Sequence, residues 1–308
     1  MSTPSNALPA VDTQATTPTA MTPIRPFYWS VRRELWEHRS IYLAPLAVAA
    51  IFLLGFFINS FKLPRRMPAL LALDWSEQHQ ALLQPYDFAG GVIMVVMMLV
   101  SIYYSLDALF SERRDRSILF WKSLPVSDLT VVLSKAAIPL VIIPVICYVL
   151  TFLLHLTMLL WSSVVLLASG QSISTLWAQV SLFQTTVMIL YHLVTVHTLW
   201  YAPIYGWLLL VSAWSRRAPF LWAVLPPLAI AVLEKILFNT WYFARSIGYR
   251  FTGPQAFVFP SHADMPMHAM TSLDPGRFFA SLGLWLGFLA AAIFLLLAAR
   301  VRRYRDPV

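Results

Sequence analysis

Apolar runs long enough to cross a lipid bilayer recur along almost the whole sequence, and no other feature restricts its fold so strongly. A hydrocarbon core of about 30 Å takes about 20 residues of α-helix. Lipid offers no partner to backbone N–H and C=O groups, so each run has to satisfy its own groups as a helix, and the period-2 alternation of barrel strands is absent. Composition agrees. The chain of 308 residues is 59% hydrophobic and 12% charged, where soluble domains carry about 25% charge, and its mean hydropathy is +0.68. The expected fold is all-α: a polytopic membrane protein of six transmembrane helices, with an interfacial N-terminal amphipathic helix and a short cytoplasmic helix between the second and third spans.

Residues 1–23 are rich in Thr, Pro, Ser and Ala, with no Lys or Arg and no apolar core. Such a segment cannot bury enough surface to fold, and it lacks the basic and apolar regions of a signal peptide, so it reads as a disordered cytoplasmic tail. Residues 24–308 read as a single transmembrane domain. In 24–40, Phe27, Val31 and Leu35 recur every four residues while Arg32, Arg33, Glu34, Glu37 and Arg39 take the other faces, which suits a helix in the headgroup plane. The spans are placed at about 41–61, 88–110, 129–167, 191–214, 219–244 and 276–299. A polar outer loop is expected from 62 to 87 and an outer-surface helix over about 176–190. The third span is longer than a bilayer needs, with Pro139 and Pro144 as places to break and Lys135 near its inner end, where its stem can snorkel. The outer segment 245–275 is expected to be irregular.

A net charge of +8 could suggest nucleic acid in a soluble protein. Here the basic residues cluster at the ends of apolar runs. With six spans and both termini inside, 15 of the 22 Lys and Arg fall on the cytoplasmic side, which is the bias that topology predicts. No nucleic-acid partner is expected; membrane lipid is. Cys147 is the single cysteine and lies within an apolar run, so no internal disulfide can form.

Between the second and third spans, coupling loop 111–128 holds the densest alternation of charge in the chain. Glu112, Arg113, Arg114, Asp115 and Arg116 leave the membrane together, followed by Ser117. Then Ile118, Leu119, Phe120, Trp121 and Leu124 make about two helical turns ended by Pro125. Large apolar side chains on a solvated loop need something to bury them. Either the headgroup region or the groove of a partner protein serves, the aromatics giving anchoring area and the charges setting register.

The run from Tyr104 to Lys135 resembles the cytoplasmic loop of type-2 ABC exporter permeases, with the pattern E-R-x-x-x-S/T-x-x-x-x-x-S/L-P-x-S matched by Glu112, Arg113, Ser117, Ser123, Leu124, Pro125 and Ser127, and Lys135 beyond it. The interfacial helix, six spans and large outer segment before the last span are similar too. The resemblance implies a non-catalytic permease subunit whose coupling helix docks on a separate cytoplasmic ABC ATPase, which binds ATP and Mg. It also implies a second permease copy or a related permease as partner, and a bacterial inner (plasma) membrane location. The chain itself carries no phosphate-binding G-x-x-x-x-G-K-[ST] motif and no cofactor is expected in it. Segment 245–275 is more elaborate than is usual in the family, so the resemblance names no substrate.

Two other function classes remain: a membrane-embedded enzyme or metal-site protein using histidines, and an ion-driven secondary transporter. In the outer segment, His262, Asp264 and His268, with Met265, Met267 and Met270, have donor types that suit a soft or borderline metal, although Pro and Met also fill irregular packed loops. Glu234 and Lys235 fall near the outer end of the fifth span and read as an interfacial pair rather than a proton relay. His155, His192 and His197 read as satisfied interior residues. Ala280, Gly283 and Gly287 allow close helix contact along the last span.

Overall fold

The computed structural model describes residues 24–117, 126–258 and 275–304. The expected tail at 1–23, the loop residues Ile118, Leu119, Phe120, Trp121, Leu124 and Pro125, and the His262, Asp264 and His268 group lie outside them. The described residues are helical with no strand, and six helical stretches are long and apolar enough to cross a membrane. The protein is an all-α polytopic membrane protein. Large apolar side chains such as Leu46, Ile51, Leu54 and Ile58 stand exposed along one helix, and the pattern repeats on the others. Exposed apolar surface on this scale is stable only against lipid.

The chain opens with α1 (Ile24–Glu37) and α2 (Ser40–Ser60). Next come α3 (Leu63–Leu71) and the long α4 (Trp75–Asp107). The polar stretch expected as an outer loop, 62–87, is therefore mostly helix. Pro64 starts α3, Asp74 precedes α4 in an extended conformation, and Glu77 sits in the first turn of α4, where a carboxylate favours the helix dipole. Hydropathy marks where lipid ends; the helix simply continues past it.

A five-residue helix, α5 (Phe110–Arg114), carries the chain into the loop, and α6 (Asp128–Ala137) brings it back. The side chain of Ser127 accepts a hydrogen bond from the Thr130 amide at 3.1 Å, an N-cap. A widened π-helical segment at Ile138–Ile142, holding Pro139, leads into α7 (Ile143–Ala168), with Pro144 in its first turn. The long third span is thus not broken at its prolines. The π turn absorbs the missing amide donor of Pro139.

The helix expected over 176–190 is two helices, α8 (Ser174–Gln179) and α9 (Leu182–His192), because Ser181 takes the N-cap position of α9. A π segment, Leu193–Trp200, and Tyr201 then lead into α10 (Ala202–Trp214). At about 20 Å, 13 residues of helix are too short to cross a bilayer unaided. A tight turn with Ala218 in the left-handed region (φ 47°) opens α11 (Pro219–Phe238).

The fifth helix ends at Asn239, also left-handed (φ 53°), rather than near residue 244. The following segment is not irregular at its start, since Tyr242–Val258 form α12. The last elements are α13 (Pro275–Ala280) and α14 (Leu282–Tyr304), so the final helix carries Arg300, Arg302 and Arg303 within it instead of stopping at Ala299. Helices α2, α4 and α7 pack together, α10 runs along α14, and α6 is held between α1 and α14.

Candidate functional site

At the end of the bundle where the 111–128 loop emerges, five charged side chains from four helices form a buried chain of alternating sign. It starts on α1. Glu34 faces the bundle, on the same helical face as Val31 and Leu35, which pack against the core. The Lys135 ammonium of α6 donates to Glu34 Oε1 at 2.7 Å and lies 3.1 Å from Glu112 Oε1 of α5. Arg302 of α14 reaches Glu112 Oε2 at 3.3 Å with one arm of its guanidinium and Asp128 Oδ1, the first residue of α6, with the other. Lys135 is 1% exposed, Arg302 3%, Glu34 5% and Glu112 8%. Each cation is shared by two carboxylates, as burial of a charge requires.

Arg302 therefore joins both feet of the loop, Glu112 where the chain leaves the bundle and Asp128 where it returns. Lys135 ties the first foot to α1. A further anchor comes from Arg113, which donates to the backbone carbonyl oxygens of Ser212 (2.9 Å) and Ser215 at the end of α10. In return the Ser212 hydroxyl accepts from the amides of Leu109 and Phe110 at 3.0 and 2.9 Å. These amides at the start of α5 have no partner within the helix, so α5 and α10 cap one another.

Around Glu34 two further polar side chains gather, Tyr104 and His38. Tyr104 donates its hydroxyl to Glu34 Oε2 at 2.8 Å. His38 lies between two carboxylates, 3.7 Å from Glu34 and 3.8 Å from Asp107, with its ring edge-on to Tyr104. Burial acts to raise the Glu34 pKa, but the adjacent Lys135 charge and hydrogen bonds outweigh it and hold the carboxyl below its usual range. For His38, burial acts to lower the pKa, and the Asp107 and Glu34 carboxylates prevail, leaving the imidazole easier to protonate than usual.

The charged run picked out by the sequence divides in two. Glu112 and Arg113 point inward and are buried, whereas Arg114, Asp115 and Arg116 are exposed, Arg114 pairing with its neighbour Asp115 at 3.0 Å. Ser117 sits partly buried, its hydroxyl 3.4 Å from the Glu112 carbonyl oxygen. Lys135 does not snorkel; its ammonium is the centre of the charge chain. Glu34 does not lie on the charged face of α1. Glu234 and Lys235 are not a pair either. Glu234 accepts from the Thr240 hydroxyl (2.7 Å) and the amides of Tyr242 (2.7 Å) and Phe243 (2.8 Å), capping α12, while Lys235 donates to Asn239 at 2.6 Å.

His155 is hydrogen-bonded to the Tyr86 carbonyl oxygen at 2.9 Å, and His192 and His197 meet ring to ring at 5.7 Å. Among the described residues no three His, Cys, Asp or Glu side chains are placed to hold a metal ion. Close approach on the last span is real at Gly287, where an added Cβ would run into the Arg250 guanidinium that donates to the Gly283 carbonyl oxygen. Comparisons with protein-family models, with curated proteins and with solved structures returned no match.

The buried chain ties α1, α5, α6 and α14 to one another. Lys135 and Arg302 each lie between two carboxylates. Displacing α5, α6, α1 or α14 alone would pull apart charges inside a low-dielectric core, at a cost of about 3–5 kcal/mol for each broken pair. The four elements are thus constrained to move together.

Proposed function

We propose that the chain is the membrane-spanning permease subunit of an ATP-binding-cassette exporter. It moves its substrate with energy from ATP hydrolysis in a separate cytoplasmic subunit that binds ATP and Mg. The single observation that carries this reading is the Arg302 fork, which locks both feet of loop 111–128 to the last helix, while Lys135 links the same foot to α1. A loop that only rested on lipid would need no such anchorage. A loop that takes a push from a motor does, because the push must reach the spans without being lost in the hinge.

In this reading Ile118, Leu119, Phe120, Trp121 and Leu124 contact the ATPase and exposed Arg114, Asp115 and Arg116 set register on it. Buried Glu112 and Arg113 pass the displacement inward. The E-R-x-x-x-S spacing supports the same division, its first two residues being the buried pair. The chain acts as a dimer or with a related permease, in a bacterial inner membrane, with both termini and the loop on the cytoplasmic side. Purified with its partner, the permease should carry ATP hydrolysis that falls at least tenfold in Trp121→Ala/Leu124→Ala, with the bundle's thermal stability unchanged. Equal ATPase activity in that variant would overturn the proposal.

A further inference from the structure

At the other end of the bundle from the charge chain, α4, α7, α8 and α9 enclose a cavity of about 430 Å³. Ligand pockets for drug-sized molecules run from roughly 300 to 1,000 Å³. Along α4 the lining comes from a helical stripe: His79, Leu83, Tyr86 with Asp87, Gly90 with Gly91, and Met94. Counting histidine as neutral, Asp87 is the one lining residue with a full charge. It makes no hydrogen bond or ion pair with any described residue, whereas His79 and His155 beside it are already engaged. His79 Nδ1 is 2.9 Å from Gln179 Oε1 and its ring stacks on Trp75, and His155 is held by the Tyr86 carbonyl oxygen.

Asp87 lies 20 residues from Asp107 on one continuous helix, about 30 Å along its axis. It therefore falls at the boundary of a hydrocarbon core whose other boundary is near the loop. A carboxylate there with no hydrogen-bond or ion-pair partner among the described residues, above an apolar floor that includes Met94 and Met188, matches a ligand with one positive charge and an apolar body. Gly91 leaves the floor open, since an added Cβ meets nothing within 4 Å.

We propose that this cavity is a binding site for amphipathic organic monocations, with Asp87 as counter-ion and Gly91 keeping the floor clear. The site is independent of how the protein is powered, so it is tested on the full-length chain alone in lipid nanodiscs.

The probe is tetraphenylphosphonium, compared with tetraphenylborate, which has a similar shape and the opposite charge. Saturable binding of the cation at one per chain is expected, together with at least tenfold weaker binding in Asp87→Asn and none in Gly91→Trp, both variants keeping the wild-type helix content by far-UV circular dichroism. The helix content separates filling of the cavity from a disturbed helix. Non-saturable uptake, cation binding indifferent to Asp87→Asn, saturable binding of tetraphenylborate, or a co-purified phospholipid that the cation does not displace would each overturn the assignment.

Discussion

Replacing Lys135 with methionine removes the cation shared by Glu34 and Glu112 while keeping the length of the buried stem. Removing one partner of a buried ion pair costs about 3–5 kcal/mol, because the carboxylate left behind stays out of water. Here Tyr104 still donates to Glu34 and Arg302 still reaches Glu112, so the loss belongs at the lower end, about 3 kcal/mol. The effect also carries a pH signature. In the native protein Glu34 has a lowered pKa, so its contribution is present above its ordinary unfolded value of about 4.3 and is lost as pH falls below it. Without Lys135, burial acts with much less opposition, the Glu34 pKa rises, and protonation relieves the variant. Its deficit should therefore be largest near neutral pH and shrink on acidification.

The assay is reversible unfolding in mixed micelles by titration with a denaturing detergent, followed by far-UV circular dichroism at several pH values. The double variant Glu34→Gln/Lys135→Met should recover about 1–3 kcal/mol relative to additivity. A single-variant loss below about 1 kcal/mol, or strict additivity in the cycle, would refute the claim that the two residues form one buried pair.

Arg302→Lys keeps the charge but not the fork, so it should hold one foot of the loop at a time and cost about 1–3 kcal/mol in the same assay. Arg302→Leu should cost more. Because the His38 pKa is raised, its contribution is complete below the unfolded value of about 6.5 and is lost as pH climbs through the higher folded value. The wild-type unfolding midpoint should accordingly decline above about pH 6.5, and His38→Gln should flatten that slope. Glu234→Ala removes the acceptor for the Tyr242 and Phe243 amides, and hydrogen–deuterium exchange at the start of α12 should accelerate there without change in α14.

Much of the architecture is legible from hydropathy alone, since lipid leaves a helix no alternative. The places where prolines disturb the third span are readable too. Outside the bilayer the signal fails: α3, the first turns of α4 and α12 are polar helices, held by Pro64, Glu77 and the Glu234 cap rather than by apolar periodicity. The charge chain was half visible. Glu112 and Asp128 flank the loop motif, but nothing in the sequence distinguishes Glu34 and Lys135 from charged residues that meet water or headgroups, as most do.

Helical spacing carried the better signal. Glu34 is three residues after Val31 and one before Leu35, on the inward face, and Arg302 continues the buried Leu284, Gly287, Ala291 and Ala298 stripe of α14. What spacing could not reveal is that these two residues, 268 positions apart, belong to one charge chain, joined through Lys135 and Glu112. That requires the tertiary fold. The cavity at Asp87 is likewise a stripe on α4 in sequence and becomes a pocket only when α7, α8 and α9 close around it.

Co-purification from native membranes tests the central claim most directly, with ATP hydrolysis measured in the tagged wild-type chain, Trp121→Ala/Leu124→Ala and Arg302→Leu. The account predicts vanadate-sensitive hydrolysis in the wild-type preparation and its loss with the contact variant. Arg302→Leu should retain the ATPase subunit while hydrolysis no longer drives transport. A wild-type preparation without ATPase, or Arg302→Leu transporting at the wild-type rate, would contradict it.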